Sequence, residues 1–426
     1  MATRPPLALL GGEPAVRIPP PHVVWPAPAG PEELAALARL RNEDIIVRGR
    51  TGPTAELEDA FIDFLDGGVR HAISFNSGTT ALYAAFVGVG VEPGVEVVGP
   101  ALTYHAALSP VFALGGEVRL VDIDRATRCL DPDLLERAIT EATRAVVVVH
   151  QWGHPADMDR ILPIVRRHGL KLIEDCSHAH GSRYRGRLCG TIGDAAVFSL
   201  QAKKAVFGGE GGILVTSDEA IRGRALLLGH PRDRPQRELG EDNGQRYAFT
   251  GFGLKLRMSP FNALVALHSL RNFPAMKESR HRSLGYLRQR LREVDYLEPL
   301  QVAADVDMGA WYGFKPLYRP DRLAGVPRAT LLRALQAEGM QVGVPPGPCL
   351  ATLPLYADPV NPILPGLRRR VITPPSAVPH AMYVAEHAIE LPTFTDWQTA
   401  RPIIDAYLDG FLKVQEQARA LAQWRP

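Results

Sequence analysis

The chain has 426 residues, 46% apolar and 22% charged, which excludes a disordered protein. Lys plus Arg number 48 against 46 Asp plus Glu, and a net charge of +2 is too small for a dedicated nucleic-acid binder. No run of 18 apolar residues is present, so no membrane span is predicted, and the first 20 residues lack the pattern of a secretory signal.

Residues 1–30 are rich in Pro and Gly and read as an arm laid over a surface. Glu32 to Asn42 predicts a helix. Thr54 to Leu65 predicts another, with Thr54 as its N-cap and Glu56 and Glu58 in the turn that follows. From residue 70 the pattern turns α/β. His71–Phe75 reads as a strand, Asn76–Thr80 as a tight polar turn, and Ala81–Val89 as a helix. Further strands are predicted at Glu96–Pro100, Val118–Val121, Arg144–His150, Leu170–Asp175, Ala195–Ser199 and Gly212–Thr216, with an amphipathic helix at Asp157–His168. Strands alternating with helices imply a mainly parallel sheet flanked by helices. Ligands of such sheets bind beyond the carboxyl ends of the strands. Polar clusters at Asn76–Thr80, His150–His154, Asp175–His180 and Ser199–Lys204 all follow strands.

After residue 259 the texture changes. Pro260–Phe273 and Met276–Val294 read as two long helices. Gly313–Leu317 carries a strand signal, Arg328–Ala337 a helix, Pro345–Pro375 a loop and Trp397–Ala422 a terminal helix. The expected division is an arm (1–30), a large domain (31–275) and a smaller C-terminal α/β domain (276–426).

Four segments carry chemistry. Only seven of the 48 basic residues are lysines, so the pair Lys203-Lys204 stands out; it follows a buried strand and precedes a glycine run. A desolvated amine beside a second cation has a depressed pKa and can form a Schiff base. Asp175 ends a buried strand, where a carboxylate needs a cationic partner such as a pyridinium nitrogen. A helix cap, or a metal set of Asp175, His178 and His180, are the alternatives there, and no standard metal spacing supports the second. Asn76-Ser77-Gly78-Thr79-Thr80 opens a helix and can present N–H groups to an anion. Tyr104 lies just beyond a strand and could face a planar cofactor or the core. A phosphate cradle, a stacking ring, a carboxylate and an amine together describe a site for pyridoxal phosphate. The four cysteines, Cys129, Cys176, Cys189 and Cys349, show no metal spacing and read as reduced thiols of a cytoplasmic protein.

The motifs SGTTAL, EDCSHAHG, FSLQAKK and GEGG, with LLGGEPAV near the start, resemble the DegT/DnrJ/StrS family of pyridoxal-phosphate sugar and cyclitol aminotransferases. That resemblance implies the fold-type-I architecture of the aspartate aminotransferase superfamily. It implies Lys204 as the lysine that holds the cofactor and Asp175 as the partner of the ring nitrogen. It places His178 near the ring hydroxyl, Tyr104 on the ring, and Ser199, Gly78 and Thr79 at the phosphate. It implies a homodimer in which a G-x-N-x-R-M segment reaches the neighbouring phosphate. Here that segment reads Gly253-Leu254-Lys255-Leu256-Arg257-Met258, with Lys255 for the commoner Asn. The expected reaction moves an amino group from L-glutamine or L-glutamate to a keto-sugar or keto-cyclitol, in aminoglycoside-like antibiotic biosynthesis. An aminobenzoate-type synthase and a non-catalytic protein of the same fold are the alternatives. His150, Gln151, Trp152 and His154 are candidates to hold a polyhydroxylated substrate, and Pro345–Leu350 and Trp311-Tyr312-Gly313 depart from the family pattern.

Overall fold

The computed structural model describes residues 4–425 apart from 44, 46, 48, 241–243, 364, 365 and 367. Helices α1 (Pro31–Arg41) and α2 (Gly52–Phe64) lead into the α/β region. The residue capping α2 is Thr51, not Thr54, because Gly52-Pro53 already starts the helix, where proline's missing N–H costs nothing. Thr54 sits one turn in and donates its hydroxyl to the carbonyl of Thr51 at 3.0 Å.

Strands β1 (His71–Phe75), β2 (Glu96–Pro100), β3 (Glu117–Val121), β4 (Thr143–Val149) and β5 (Lys171–Asp175) appear where predicted, within a residue or so. A two-residue hairpin, β6 (Arg183–Tyr184) and β7 (Arg187–Leu188), precedes β8 (Ala195–Ser199) and β9 (Gly212–Thr216). The seven-stranded sheet has the order β1-β9-β8-β5-β4-β2-β3. β8, β5, β4, β2 and β3 pair in parallel, while β9 runs antiparallel to both β8 and β1. Burying β4 and β8 on both faces explains their unbroken apolar runs. Phe75, Pro100, Val149, Asp175 and Ser199 therefore end at one edge of the sheet. Helix α3 (Gly78–Gly88) starts there, closed by a capping box between Ser77 and Thr80.

The two long helices expected after residue 259 are one, Pro260–Arg290. Pro274 removes a single N–H donor, no glycine follows it within the next two turns, and Phe273 and Arg280 are both buried from the continuous helix. The strand signal at Gly313–Leu317 becomes isolated bridges from Phe314 to Leu391 and from Leu317 to Ala388, with only Leu317–Tyr318 in a ladder. The segment Pro345–Pro375 is not wholly loop: a helical turn, Pro354–Ala357, buries Tyr356, whose hydroxyl reaches the carbonyl of His105 at 2.6 Å. Helix Pro379–His387 was not anticipated. Its cap is Asp122, beyond β3, which accepts from the N–H groups of His380 and Ala381 at 2.8 and 2.7 Å. The terminal helix spans Trp397–Glu416, breaks at Gln417 and resumes over Ala418–Gln423.

A separate apolar core gathers Leu284, Leu331, Leu335, Phe394, Tyr407 and Phe411 with Leu7 and Val16 of the arm. Among the described residues no helix is long and apolar enough to cross a membrane.

Candidate active site

A cavity of about 680 Å³ opens at the carboxyl edge of the sheet. Gly78, Thr79, Tyr104, Asp175, His178, Ser199, Lys203 and Lys204 all line it. These residues come from the ends of four strands, β1, β2, β5 and β8, or the turns that follow them. The sheet topology brings them together.

The wall beneath α3 is packed too closely for side chains at its glycines. A Cβ on Gly78 would lie 2.8 Å from Cβ of Ser199, and one on Gly212 would lie 2.4 Å from the carbonyl of Ser77. The first N–H groups of a helix have no intrahelical acceptor, so those of Gly78 and Thr79 suit an anion. Asp175 is 5% exposed; one carboxylate oxygen accepts from the N–H of Ser177 at 3.0 Å. Burial pushes the Lys204 ammonium down to about 8, Lys315 adds to the fall, and Asp175 opposes it. An amine with that pKa is partly neutral near physiological pH and can act as a nucleophile or base. Lys203 is exposed, and its backbone N–H donates to the side chain of Gln201 at 2.9 Å.

His178 is stacked on Tyr312, with ring centroids 3.9 Å apart. Burial and the cations of Lys204 and Lys315 hold its pKa well below the usual range, so the ring is neutral. Its Nδ1 accepts from the N–H of Trp152 at 3.4 Å, which leaves Nε2 to carry the proton and donate. Tyr104 is 60% exposed at the mouth, its ring beside His105.

Lys255 does not line this cavity and its side chain is exposed. Its segment is tied to the end of β1, where Asn76 donates to the carbonyl of Leu256 at 2.8 Å. Of the four substrate candidates after β4, Gln151 and Trp152 line the cavity and His150 and His154 do not. His150 instead links the N–H of Ala156 to Glu174. Glu174, beside Asp175 in sequence, faces the other way and accepts from the N–H groups of Gly190, Ile192 and Gly193. Asp175, His178 and His180 form no metal-spaced group; the group with such spacing among the described residues is His150, Glu174 and Cys176. Glu174 is already committed to four donors there, and burial raises the Cys176 thiol well above its ordinary range.

A family model for the DegT/DnrJ/EryC1/StrS aminotransferases matches residues 29–402. The chain belongs to that aminotransferase family. It is 35% identical to an L-glutamine:scyllo-inosose aminotransferase of Streptomyces griseus, over 82% of this chain and 81% of the relative. It is 40% identical to a GDP-perosamine synthase of Caulobacter vibrioides, over 55% of this chain and 61% of that protein. Among solved structures, DesV of S. venezuelae in complex with a ketimine intermediate is similar, with a TM-score of 0.71 and 28% identity, covering 93% of this chain and 95% of DesV. The architecture is that of a fold-type-I pyridoxal-phosphate-dependent transferase, and the chain is a pyridoxal-phosphate-dependent aminotransferase. The close backbone cradle, the deep carboxylate and the depressed amine all fit that cofactor.

Two groups of this DegT-family chain escaped the sequence. Lys315 and Glu390 line the cavity from the C-terminal part of the chain, beside Pro345, Pro346, Gly347 and Pro348 of the segment already singled out for departing from the family pattern. Lys315 stands alone between Phe314 and Pro316, with no motif to flag it; its rarity as a lysine was the only available signal. Trp25 of the arm donates its indole N–H to the backbone carbonyl of Lys204 at 3.1 Å, a contact across 179 residues.

Proposed function

We propose that this cavity transfers an amino group from L-glutamine or L-glutamate to a ketone on a sugar or cyclitol, within a biosynthetic route to an aminoglycoside-like antibiotic. The relative from Streptomyces griseus, named for glutamine and scyllo-inosose, supports the donor and acceptor classes. The observation that carries the reading is Lys204 with its pKa at about 8 in one cavity with Asp175. Bound pyridoxal phosphate would supply an electron sink when a Cα proton leaves the donor. Lys204 Nζ would hold the cofactor at rest and, once free, take and return that proton. Asp175 would keep a proton on the ring nitrogen. His178 Nε2 would donate to the ring hydroxyl and Tyr104 would cover the ring. Gly78, Thr79 and Ser199 would hold the phosphate.

The assembly is a homodimer in this reading, with Lys255 of each subunit serving the other's phosphate. Exposed Tyr247, Phe249, Phe252 and Leu254 precede Lys255 in sequence and would be covered by the second copy. Of the division into an arm (1–30), a large domain (31–275) and a small domain (276–426), the C-terminal core from Leu284 to Leu421 supports the small domain, although that core also takes in Leu7 and Val16 of the arm, and Leu350, Tyr356, Val378 and Val384 pack into the core of the sheet. Four buried free thiols support a cytoplasmic setting.

The test is Lys204→Ala beside Lys203→Ala. Lys204→Ala is expected to remove the visible absorbance of the bound cofactor and to slow turnover by at least about 10³-fold. Lys203→Ala should keep both. An active Lys204→Ala enzyme would overturn the assignment.

A further inference from the structure

Lys315 is a buried cation whose partners are incomplete. Its side chain is 4% exposed, and the nearest carboxylate, Glu390, stands 3.5 Å away with 41% of its own side chain in solvent. Two aromatic rings enclose the ammonium: Trp152 with its centroid at 5.0 Å and Tyr312 at 5.4 Å. Behind it the backbone is close, since a Cβ on Gly313 would lie 3.2 Å from Nζ. An ammonium has three N–H donors, and a buried charge left short of acceptors is costly. The open side of Lys315 faces the cavity that holds Lys204. Both amines lie against the same ring, with Lys204 Nζ 4.2 Å from the centroid of Tyr312.

The geometry points to Lys315 as the subsite for the α-carboxylate of the amino donor, with Trp152 and Tyr312 as its walls. This rests on the transaminase reading of the cavity. Keto-sugars and keto-cyclitols bring no charge on the reacting ring, whereas every amino-acid donor brings a carboxylate one carbon from the amine that must replace Lys204. A buried cation that shares the Tyr312 ring with Lys204 meets that requirement. It would also release Glu390 to the solvent-facing side, where it can accept from hydroxyls of the second substrate.

Calorimetric titration of the cofactor-loaded dimer with glutaramate tests this directly. Glutaramate keeps the carboxylate and the amide of glutamine but lacks the amine; glutaramide replaces the carboxylate by a neutral amide. Wild type is expected to bind glutaramate about tenfold more tightly or better, as a charge-assisted contact requires. Lys315→Met and Lys315→Gln should erase that preference and raise the KM for L-glutamine by about tenfold or more, while the rate of the ketone half-reaction shifts less than about threefold. Equal binding of both probes by wild type overturns the inference without any variant. So does an unchanged donor KM in correctly folded variants, or a loss confined to the ketone half-reaction. A wild-type enzyme that passes no amino group to any ketone would sink the transaminase reading instead.

Discussion

Two lysines of this molecule are equally buried and differently used. Lys413 and Lys315 each have 4% of their side chain exposed. Lys413 donates to Glu338 at 2.9 Å and to the carbonyl of Glu13 at 2.6 Å. Glu338 is itself fully buried and also accepts from the N–H groups of Ala8 and Ala15, at 2.7 and 2.9 Å. Every strong contact of that pair closes on protein, and the result is an arm pinned to the C-terminal core. Lys315 has one carboxylate at 3.5 Å and an open side. Burial lowers its pKa, as expected for a cation that protein groups compensate only in part. Equal burial thus separates a structural ion pair from a binding group by the completeness of the partners, not by depth.

The largest effect expected from this contrast is on stability. Removing one member of a fully buried pair strands the other and costs about 3–5 kcal/mol. Lys413→Met should therefore lower the thermal midpoint markedly and expose the arm to protease. Lys315→Met leaves behind only Glu390, which reaches water, and should change stability by less than about 1 kcal/mol. Thermal unfolding of both variants at matched cofactor loading checks this. Equal destabilisation would erase the distinction between the two lysines.

Lys204 is intermediate, and pH sharpens its place. In the cofactor-free chain its folded pKa is about 8, below the ordinary lysine value of 10.5. Between those values the unfolded chain holds a proton that the folded chain has released, so stability rises with pH. Below pH 8 both states are protonated, and burying the charge costs on the order of 3 kcal/mol before solvent screening. Lys204→Met lacks this burden. Its stability advantage over cofactor-free wild type is expected near neutral pH and should vanish by about pH 10.5. A gap independent of pH would show that the ammonium is not desolvated.

The three lysines also mark how far the sequence could be read. Lys204 and Asp175 were legible because Asp175 ends an apolar strand and Lys204 lies in the turn after one, and parallel sheets put strand ends at one edge. The same logic located Gly78, Thr79, Ser199 and Tyr104. Lys315 was not legible, because its strand signal dissolves into isolated bridges and its neighbours in space, Trp152 and Glu390, lie far off in sequence. The helix Pro379–His387 was missed for a related reason: its cap, Asp122, lies some 250 residues upstream. Thr54 was misassigned by a purely local rule, when the glycine and proline before it had already begun the helix. Periodicity finds elements and their ends. Partners supplied by distant segments leave no local trace.

The smallest effect joins the two ends of the comparison. The arm that Lys413 helps to pin continues to Trp25, whose indole holds the carbonyl of Lys204 and whose ring lies 4.5 Å from the Arg280 guanidinium. Trp25→Phe keeps a ring against Arg280 and Phe207 but removes the N–H donor. One hydrogen bond of this kind is worth about 1 kcal/mol, so turnover should fall by roughly fivefold with donor KM nearly unchanged. If the arm acts on Lys204 only through that contact, Lys413→Met should lower kcat by no more than Trp25→Phe does when both are assayed well below their melting temperatures. The double variant should then lose kcat once rather than twice, since the two residues serve one contact. Full additivity in kcat would mean that the clamp on the arm and the indole on the Lys204 loop act independently, and that the buried pair at Lys413 has a role in catalysis beyond holding the arm in place.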